Sequence, residues 1–457
     1  MGSFDLRDRA AAERSRVPGA VSPRKGCASG RHAAAPAGTR APAGTTPRAG
    51  CILCAMLRLG PRLAVGALLI ALLAALLLRG GGRDTSLRRG LERLKSLPYL
   101  AWTAADAGPG GGGAAPQATE RAWPGVNLYA SESASGAWAV DLAGRRVFEL
   151  EDRRPEPTIW KLVEPLPGGG FGVLAAGGTI LAVDGRSRLL WSVTSTFHHD
   201  FDVTSDGRLV APAFHTRRVA ALAPVRPVRD DVLEVYDRDR RLVDRVSAAE
   251  LVQQEPELLA RARAVDHRLL DWRLDVFHTN TVEVLDREVA WPGGPRWPAG
   301  AVLVCWRNLD TVAVVDLEGR RILWHWGAGE LERPHHPTLL ADGRLLVFDN
   351  GTRRGWSRVV EVDPRTREIV WEYRADPPEA FFTSSRGAAQ RLPNGNTLIV
   401  ESDAGRAFEV TRQGETVWEY LDPRVRRDWL GRTERATIYR MLRLDRTELE
   451  RIAGAGG

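Results

Sequence analysis

The stretch Val362-Asp363-Pro364-Arg365-Thr366-Arg367-Glu368-Ile369-Val370-Trp371 decides the fold. It reads as the end of one apolar strand, a turn opened by an Asp, and a second strand carrying a tryptophan. The phrase recurs 47 residues earlier, where Asp316-Leu317-Glu318-Gly319 precedes Ile322-Leu323-Trp324. It recurs again 47 residues later, where Thr411-Arg412-Gln413-Gly414 precedes Thr416-Val417-Trp418. Weaker copies end at Phe148, Trp191 and near Val243. Six copies of roughly 40–50 residues, each with several short strands, are the pattern of a β-propeller with one repeat per blade. The expected fold is all-β, a six-bladed β-propeller over residues 123–423, with the tryptophans packed between neighbouring blades.

Outward from the repeats, residues 221–232 and 246–276 break the period as insertions. The second has helical spacing, with leucines at 251, 258, 259, 269 and 270. The tail, 424–457, is expected to be helical, as one or two helices over Arg424–Ala453. Upstream, residues 1–55 are Ala-, Arg-, Pro- and Gly-rich without apolar periodicity, a disorder-like composition that suggests an upstream frame read through before Met56. Residues 56–82 read as a signal anchor, with a basic start and an apolar run from Leu63 to Leu78. Residues 83–122 are a basic segment, with a short amphipathic helix expected over 84–97, followed by a Gly-rich linker. The expectation is a single-pass inner-membrane protein with its large domain in the periplasm. The positive-inside rule argues the other way, because more Arg and Lys follow the run than precede it.

With 457 residues and 44% hydrophobic content the chain can bury a sizeable core. The net charge of +7 is concentrated before residue 100, and beyond it both signs are interspersed, so no nucleic-acid partner is expected. Of the cysteines, Cys27, Cys51 and Cys54 precede the globular part, leaving Cys305 as its single thiol without an internal disulfide.

Two of the repeats place a histidine eight residues ahead of the same Asp-Gly turn: His198-His199-Asp200 before Gly207, and His335-His336-Pro337 before Gly343. Asp275-Val276-Phe277-His278-Thr279-Asn280 puts a third histidine just ahead of a strand. Arg307-Asn308 follows the apolar strand Val302–Trp306, where an Arg is expected only if an anion or carboxylate meets it. Propeller blades aim their first strands at a common axis, so His199, His278, His335 and Arg307 are expected to converge on one pocket. An arginine beside three imidazoles repels a metal and suits an oxyanion, which it can grip in a fork. No metal and no cofactor are expected. His215, His267 and His325 are expected to be ordinary hydrogen-bonding residues.

This series resembles the bacterial arylsulfotransferases, and so do Val347-Phe348-Asp349-Asn350-Gly351 and Leu392-Pro393-Asn394-Gly395-Asn396-Thr397-Leu398-Ile399. The resemblance runs from about Pro124 to Pro423 and looks closer to a little-studied, membrane-anchored branch of the family. It implies a six-bladed propeller that passes a sulfuryl group from an aryl sulfate to a phenol without a nucleotide donor. By the same resemblance His335 corresponds to the nucleophile that becomes a sulfohistidine. His199, His278 and Arg307 correspond to residues that hold the sulfate oxygens and assist proton transfer. His336, His198, Asn280, Asn308 and Arg386 are further substrate-binding candidates, and Trp306, Trp356, Phe381 and Phe382 are candidate pocket walls. The family's additional N-terminal β-domain and disulfide are not visible in this sequence. Ping-pong kinetics and an activity falling on the acid side of roughly pH 6 to 7 are expected, because the attacking imidazole must be unprotonated. The alternatives are a non-catalytic propeller binding a sulfated or other anionic ligand, and a scaffold propeller.

Overall fold

A computed structural model describes residues 101–105, 117–265, 273–291 and 294–455. Contacts group the chain into Met1–Arg83 and Asp84–Gly457, and all described residues belong to the second group. The expected disordered segment, apolar run, amphipathic helix and Gly-rich linker lie outside the described residues. Among the described residues no helix is long and apolar enough to cross a membrane.

Six sheets of four or five strands follow one another among the described residues. Sheet I holds Val126–Ala130, Gly136–Asp141 and Arg146–Glu151, and sheet II holds Trp160–Pro165, Phe171–Ala175, Thr179–Val183 and Leu189–Thr194. Sheet III holds Asp202–Val203, Leu209–Arg217, Val228–Tyr236 and Leu242–Ser247, with Leu274–Asp275 added in parallel. Sheet IV holds Thr279–Val284, Val302–Trp306, Thr311–Asp316 and Arg321–Trp326. Sheet V holds His335–Leu339, Leu345–Asp349, Arg358–Val362 and Ile369–Tyr373. Sheet VI holds Ala388–Arg391, Thr397–Glu401, Arg406–Val410 and Thr416–Leu421, with Gln117–Ala118 on its outer edge.

The core is distributed between sheets. One apolar cluster joins I to II, and others join II to III, III to IV, IV to V and V to VI. The last joins VI back to I through Leu398, Val400, Trp418 and Tyr420 against Tyr129, Trp138 and Met441. The repeated tryptophans lie at these junctions, as expected. Trp324 Nε1 donates to the Pro364 carbonyl at 3.1 Å, and Trp371 Nε1 to the Arg412 carbonyl at 2.8 Å. Trp418 Nε1 donates to the Leu142 carbonyl at 2.9 Å. Each outer-strand indole thus bonds the strand-connecting turn of the next repeat, and the last bonds the first. The conserved spacing of Asp-turn and Trp within this chain is therefore one device, in which the turn supplies the acceptor for the preceding repeat's indole.

The insertion after sheet III is helical at Ala248–Val252 and Pro256–Ala264, and the first of these is capped by the Ser247 side chain. The tail corrects the sequence reading. Only Arg446–Gly454 is helical; Val425–Arg427, Thr433–Ala436 and Met441–Leu444 are strands. Met441–Leu444 pairs with Val126–Ala130 and becomes the fourth strand of sheet I. Sheet I has three strands of its own, so this pairing satisfies a backbone edge that would otherwise be open. Arg443 is tolerated in that strand because Glu409 meets it at 3.0 Å and Asn127 Oδ1 accepts from its Nε at 2.5 Å. The folded unit therefore extends beyond 123–423 on both sides.

Candidate active site

His199, His278, His336 and Arg386 lie at or just before the first strands of sheets III, IV, V and VI, and all have positive φ, at 66°, 53°, 46° and 63°. A side chain in that region costs on the order of 1 kcal/mol or more, so four together mark a chain held against its preference. All four sit where the inner strands begin.

Three of the imidazoles, those of His198, His199 and His278, lie against one another. The rings of His199 and His278 lie 4.6 Å apart between centroids. His278 Nδ1 is 2.5 Å from Asp275 Oδ2, and His199 Nδ1 is 2.8 Å from His198 Nδ1. His335 is 5% exposed, and its Nδ1 lies 2.6 Å from Asn350 Oδ1 and 3.1 Å from the Arg333 carbonyl. Both of those atoms are acceptors, so Nδ1 carries the proton and Nε2 the lone pair. Nε2 accepts the backbone N–H of Arg386 at 3.2 Å. Gly387 makes that approach possible: with φ at +104°, a Cβ there would lie 2.5 Å from the Phe348 ring.

Burial holds His335 well below the usual imidazole range, reinforced by the Arg307 guanidinium and His278. Burial, with His278 and His198, does the same to His199. His336 is pushed down by burial and then by Arg440. It thus looks toward a different charge from its neighbour. Its Nδ1 accepts a long 3.4 Å bond from the Ala389 N–H, and its backbone N–H donates to Thr281 Oγ1 at 3.0 Å.

Arg307 opens a short 3-10 turn, and its NH1 donates to Asn308 Oδ1 at 3.1 Å. Arg333 donates to the same oxygen, while Asn308 Nδ2 donates to the Asp275 carbonyl at 2.7 Å. Asn308 thus ties two guanidinium groups to the segment that carries His278. Asn280 Nδ2 donates to the Pro334 carbonyl at 2.8 Å, and its Oδ1 accepts from Thr281 Oγ1 at 3.1 Å, which steadies the approach to His335. The Arg386 side chain is engaged by Glu132, by Asp403 at 3.0 Å and by Thr437 at 3.2 Å, leaving its backbone N–H to meet His335. Trp306 and Phe381 are buried in the apolar clusters, so they pack rather than line a pocket. Trp356 is half-buried beneath the Arg354 guanidinium, and Phe382 is half-buried with its N–H on Glu401. Cys305 is buried, and burial pushes its thiol up, so it is unreactive.

The tail contributes groups that the sequence reading missed. Tyr439 donates from its hydroxyl to the His199 carbonyl at 2.8 Å. Arg440 bridges Glu164 and, at 3.1 Å, Asp200. Around it burial pushes Glu164 and Glu283 up to about 8 and Asp202 up to about 6. Asn350, Asp275 and Asp200 stood inside quoted motifs; the first two meet His335 and His278, and Asp200 meets Arg440. Arg440 gave no signal, because the tail that carries it was read as helix. Of the remaining histidines, His215 lies 3.3 Å from Glu234 and His325 is half-buried, while His267 lies outside the described residues.

Imidazoles held low by burial, beside guanidinium groups at the first strands of consecutive sheets, are an arrangement that can receive an oxyanion. A family model described as "Arylsulfotransferase (ASST)" matches residues 159–422, more than half of the chain, and the chain belongs to that family. A comparison with curated proteins returns no match. Among solved structures the chain is similar to a Bacteroides caccae protein of unknown function, with 12% identity, a TM-score of 0.44, and coverage of 70% of this chain and 98% of that one. It is also similar to a streptogramin B lyase, with 11% identity, a TM-score of 0.41, and coverage of 72% and 94%. The Dos1 propeller follows at 10% identity, with a TM-score of 0.36 and coverage of 67% and 68%. At these scores the likenesses carry no functional argument.

Proposed function

We propose that the ring of sheets is a six-bladed propeller whose centre transfers a sulfuryl group from an aryl sulfate to a phenol through a sulfohistidine at His335, with no nucleotide donor. One observation carries the reading: His335 is a buried neutral imidazole, proton fixed on Nδ1, with Arg307 and His278 as its electrostatic neighbours. In the first step its Nε2 displaces the Arg386 N–H and attacks sulfur. The S–O bond to the aryl group breaks, and His278 gives the leaving phenolate a proton. Arg307 stabilises the sulfuryl oxygens. In the second step the acceptor oxygen attacks sulfur and the His335 lone pair returns. His335, not His336, is the nucleophile in this reading, because His336 neighbours Arg440 and the carboxylate cluster instead. The apolar run at 63–78 would tether the domain to the inner membrane on its periplasmic side.

The bond from Arg386 N–H to His335 Nε2 favours a second reading, in which the pocket binds a sulfated or other anionic ligand without reacting. Transfer from a chromogenic aryl sulfate to a phenol, run on wild type, His335→Ala and His336→Ala, separates the two. The enzyme reading requires transfer by wild type and its loss in the first variant alone. No transfer across a panel of donors leaves the binding reading standing.

A further inference from the structure

Two imidazoles in contact at the site are supported differently. His278 faces a carboxylate directly, at 2.5 Å, whereas His199 faces another imidazole, His198, at 2.8 Å. Behind His198 lies Asp231, its Oδ1 3.5 Å from His198 Nε2, an approach longer than an ordinary hydrogen bond. Asp231 is itself fixed: its Oδ2 accepts the Thr279 N–H next to His278, and Arg229 lies 3.6 Å away. His198 and Asp231 are 7% and 2% exposed.

We infer that Asp231 and His198 are positioning residues that set the tautomer of His199 and make it the base that deprotonates the acceptor phenol. This rests on the sulfuryl-transfer reading above. Only one of two facing Nδ1 atoms can hold the proton in their bond. Had His198 donated it, its Nε2 lone pair would face the Asp231 carboxylate, which is repulsive. The favoured arrangement puts the His198 proton on Nε2 toward Asp231 and leaves Nδ1 to accept from His199 Nδ1–H. His199 Nε2 is then an acceptor nitrogen and cannot donate to a sulfuryl oxygen. Charge agrees with this. Burial pushes the Asp231 carboxyl up, but His198 and Arg229 outweigh it and keep it ionised, while burial holds His198 below the usual imidazole range.

The second half-reaction then balances. The acceptor O–S bond forms, the S–Nε2 bond to His335 breaks, and its electron pair returns to His335. The phenol proton goes to His199 Nε2 and passes to the adjacent His278, replacing the one His278 gave to the first phenolate.

The test separates the two half-reactions in wild type, Asp231→Asn, Asp231→Glu and His198→Gln. A chromogenic donor reports sulfation of His335 as a burst, and steady transfer is followed to two acceptors, one ionised at the assay pH and one not. The expected result for Asp231→Asn and His198→Gln is a retained burst with transfer to the un-ionised phenol slowed on the order of 10²-fold. Transfer to the phenolate acceptor changes little, and Asp231→Glu recovers part of the loss. Equal losses on both acceptors, or a burst lost together with turnover, overturn the assignment while leaving sulfuryl transfer intact. A wild type without a burst on any aryl sulfate overturns the transfer reading and the assignment with it. In protein labelled with ¹⁵N-histidine, the His199 signals should report a protonated Nδ1 that becomes mixed in Asp231→Asn; an unchanged tautomer also contradicts the inference.

Discussion

His198-His199 and His335-His336 look alike on paper but stand one residue out of step, since it is His199 and His335 that each lie eight residues ahead of a matching Asp-Gly glycine, and the fold uses the pairs out of phase. In the first pair the second ring faces the cluster, and it is the residue with positive φ. In the second pair positive φ falls on His336, and His335 turns toward Arg307 and His278 instead. The cause is local. The register of sheet V slips between His335 and Thr338, so the chain gains a residue just where the pair sits. One pair places His198 behind His199 at 2.8 Å; the other gives an imidazole whose Nδ1 proton is donated to Asn350 Oδ1, with a neighbour directed elsewhere.

The difference is sharpest in single substitutions. His335→Ala should remove transfer by a factor of about 10³ or more, as loss of a covalent nucleophile does. His336→Ala should cost far less in turnover, about tenfold at most, with a fall in Tm from the cavity left behind. Equal losses in kcat would break the distinction between the two. Next in size is Arg307→Gln, expected to slow transfer by about 10²–10³-fold, the usual loss for a preorganised charge donor.

The pH profile refines the expectation drawn from sequence. The folded-state pKa values of His335 and His199 lie well below the ordinary 6.5, so both stay neutral as pH falls through that value. The acid limb of kcat/KM should therefore lie below the usual imidazole range, and Arg307→Gln should move it back up, since that cation is the second cause of the depression. A limb unmoved by Arg307→Gln would contradict the proposed pairing. The smallest effect concerns the carboxylate cluster near Arg440. Glu283 is neutral in the folded state up to about 8, whereas an unfolded glutamate ionises near 4.3. Its contribution is complete below the unfolded value and is lost as pH rises toward 8. Glu283→Gln removes that loss, so its Tm advantage over wild type should grow from pH 5 to pH 8, to a few degrees. A difference independent of pH would refute it.

Much of this was legible because one residue type at one spacing had one physical use. The tryptophan after each Asp-turn reports the junction between repeats, and the histidines ahead of strands report the inner ends. What stayed hidden was long-range. Met441–Leu444 is a strand because Val126–Ala130 lacked a neighbour, a fact held some 300 residues away. Tyr439 and Arg440 lie immediately before that strand, so their roles were invisible with it. Asp231 sits in an unremarkable run, Arg229-Asp230-Asp231, and only the folded sheet shows that it lies behind His198. His335 already stood ahead of His336 through its eight-residue distance to Gly343; the bulge at the pair is what periodicity does not reveal.

The central claim is that His335 carries the sulfuryl group. The direct measurement is to mix the protein with an aryl sulfate and no acceptor, quench under conditions that preserve an N–S bond, and locate the modification by peptide mass spectrometry. The account predicts one SO₃ per chain on His335, matched by released phenol, and discharged on adding a phenol. Phenol release with His335 unmodified, or the group on His336, would contradict it.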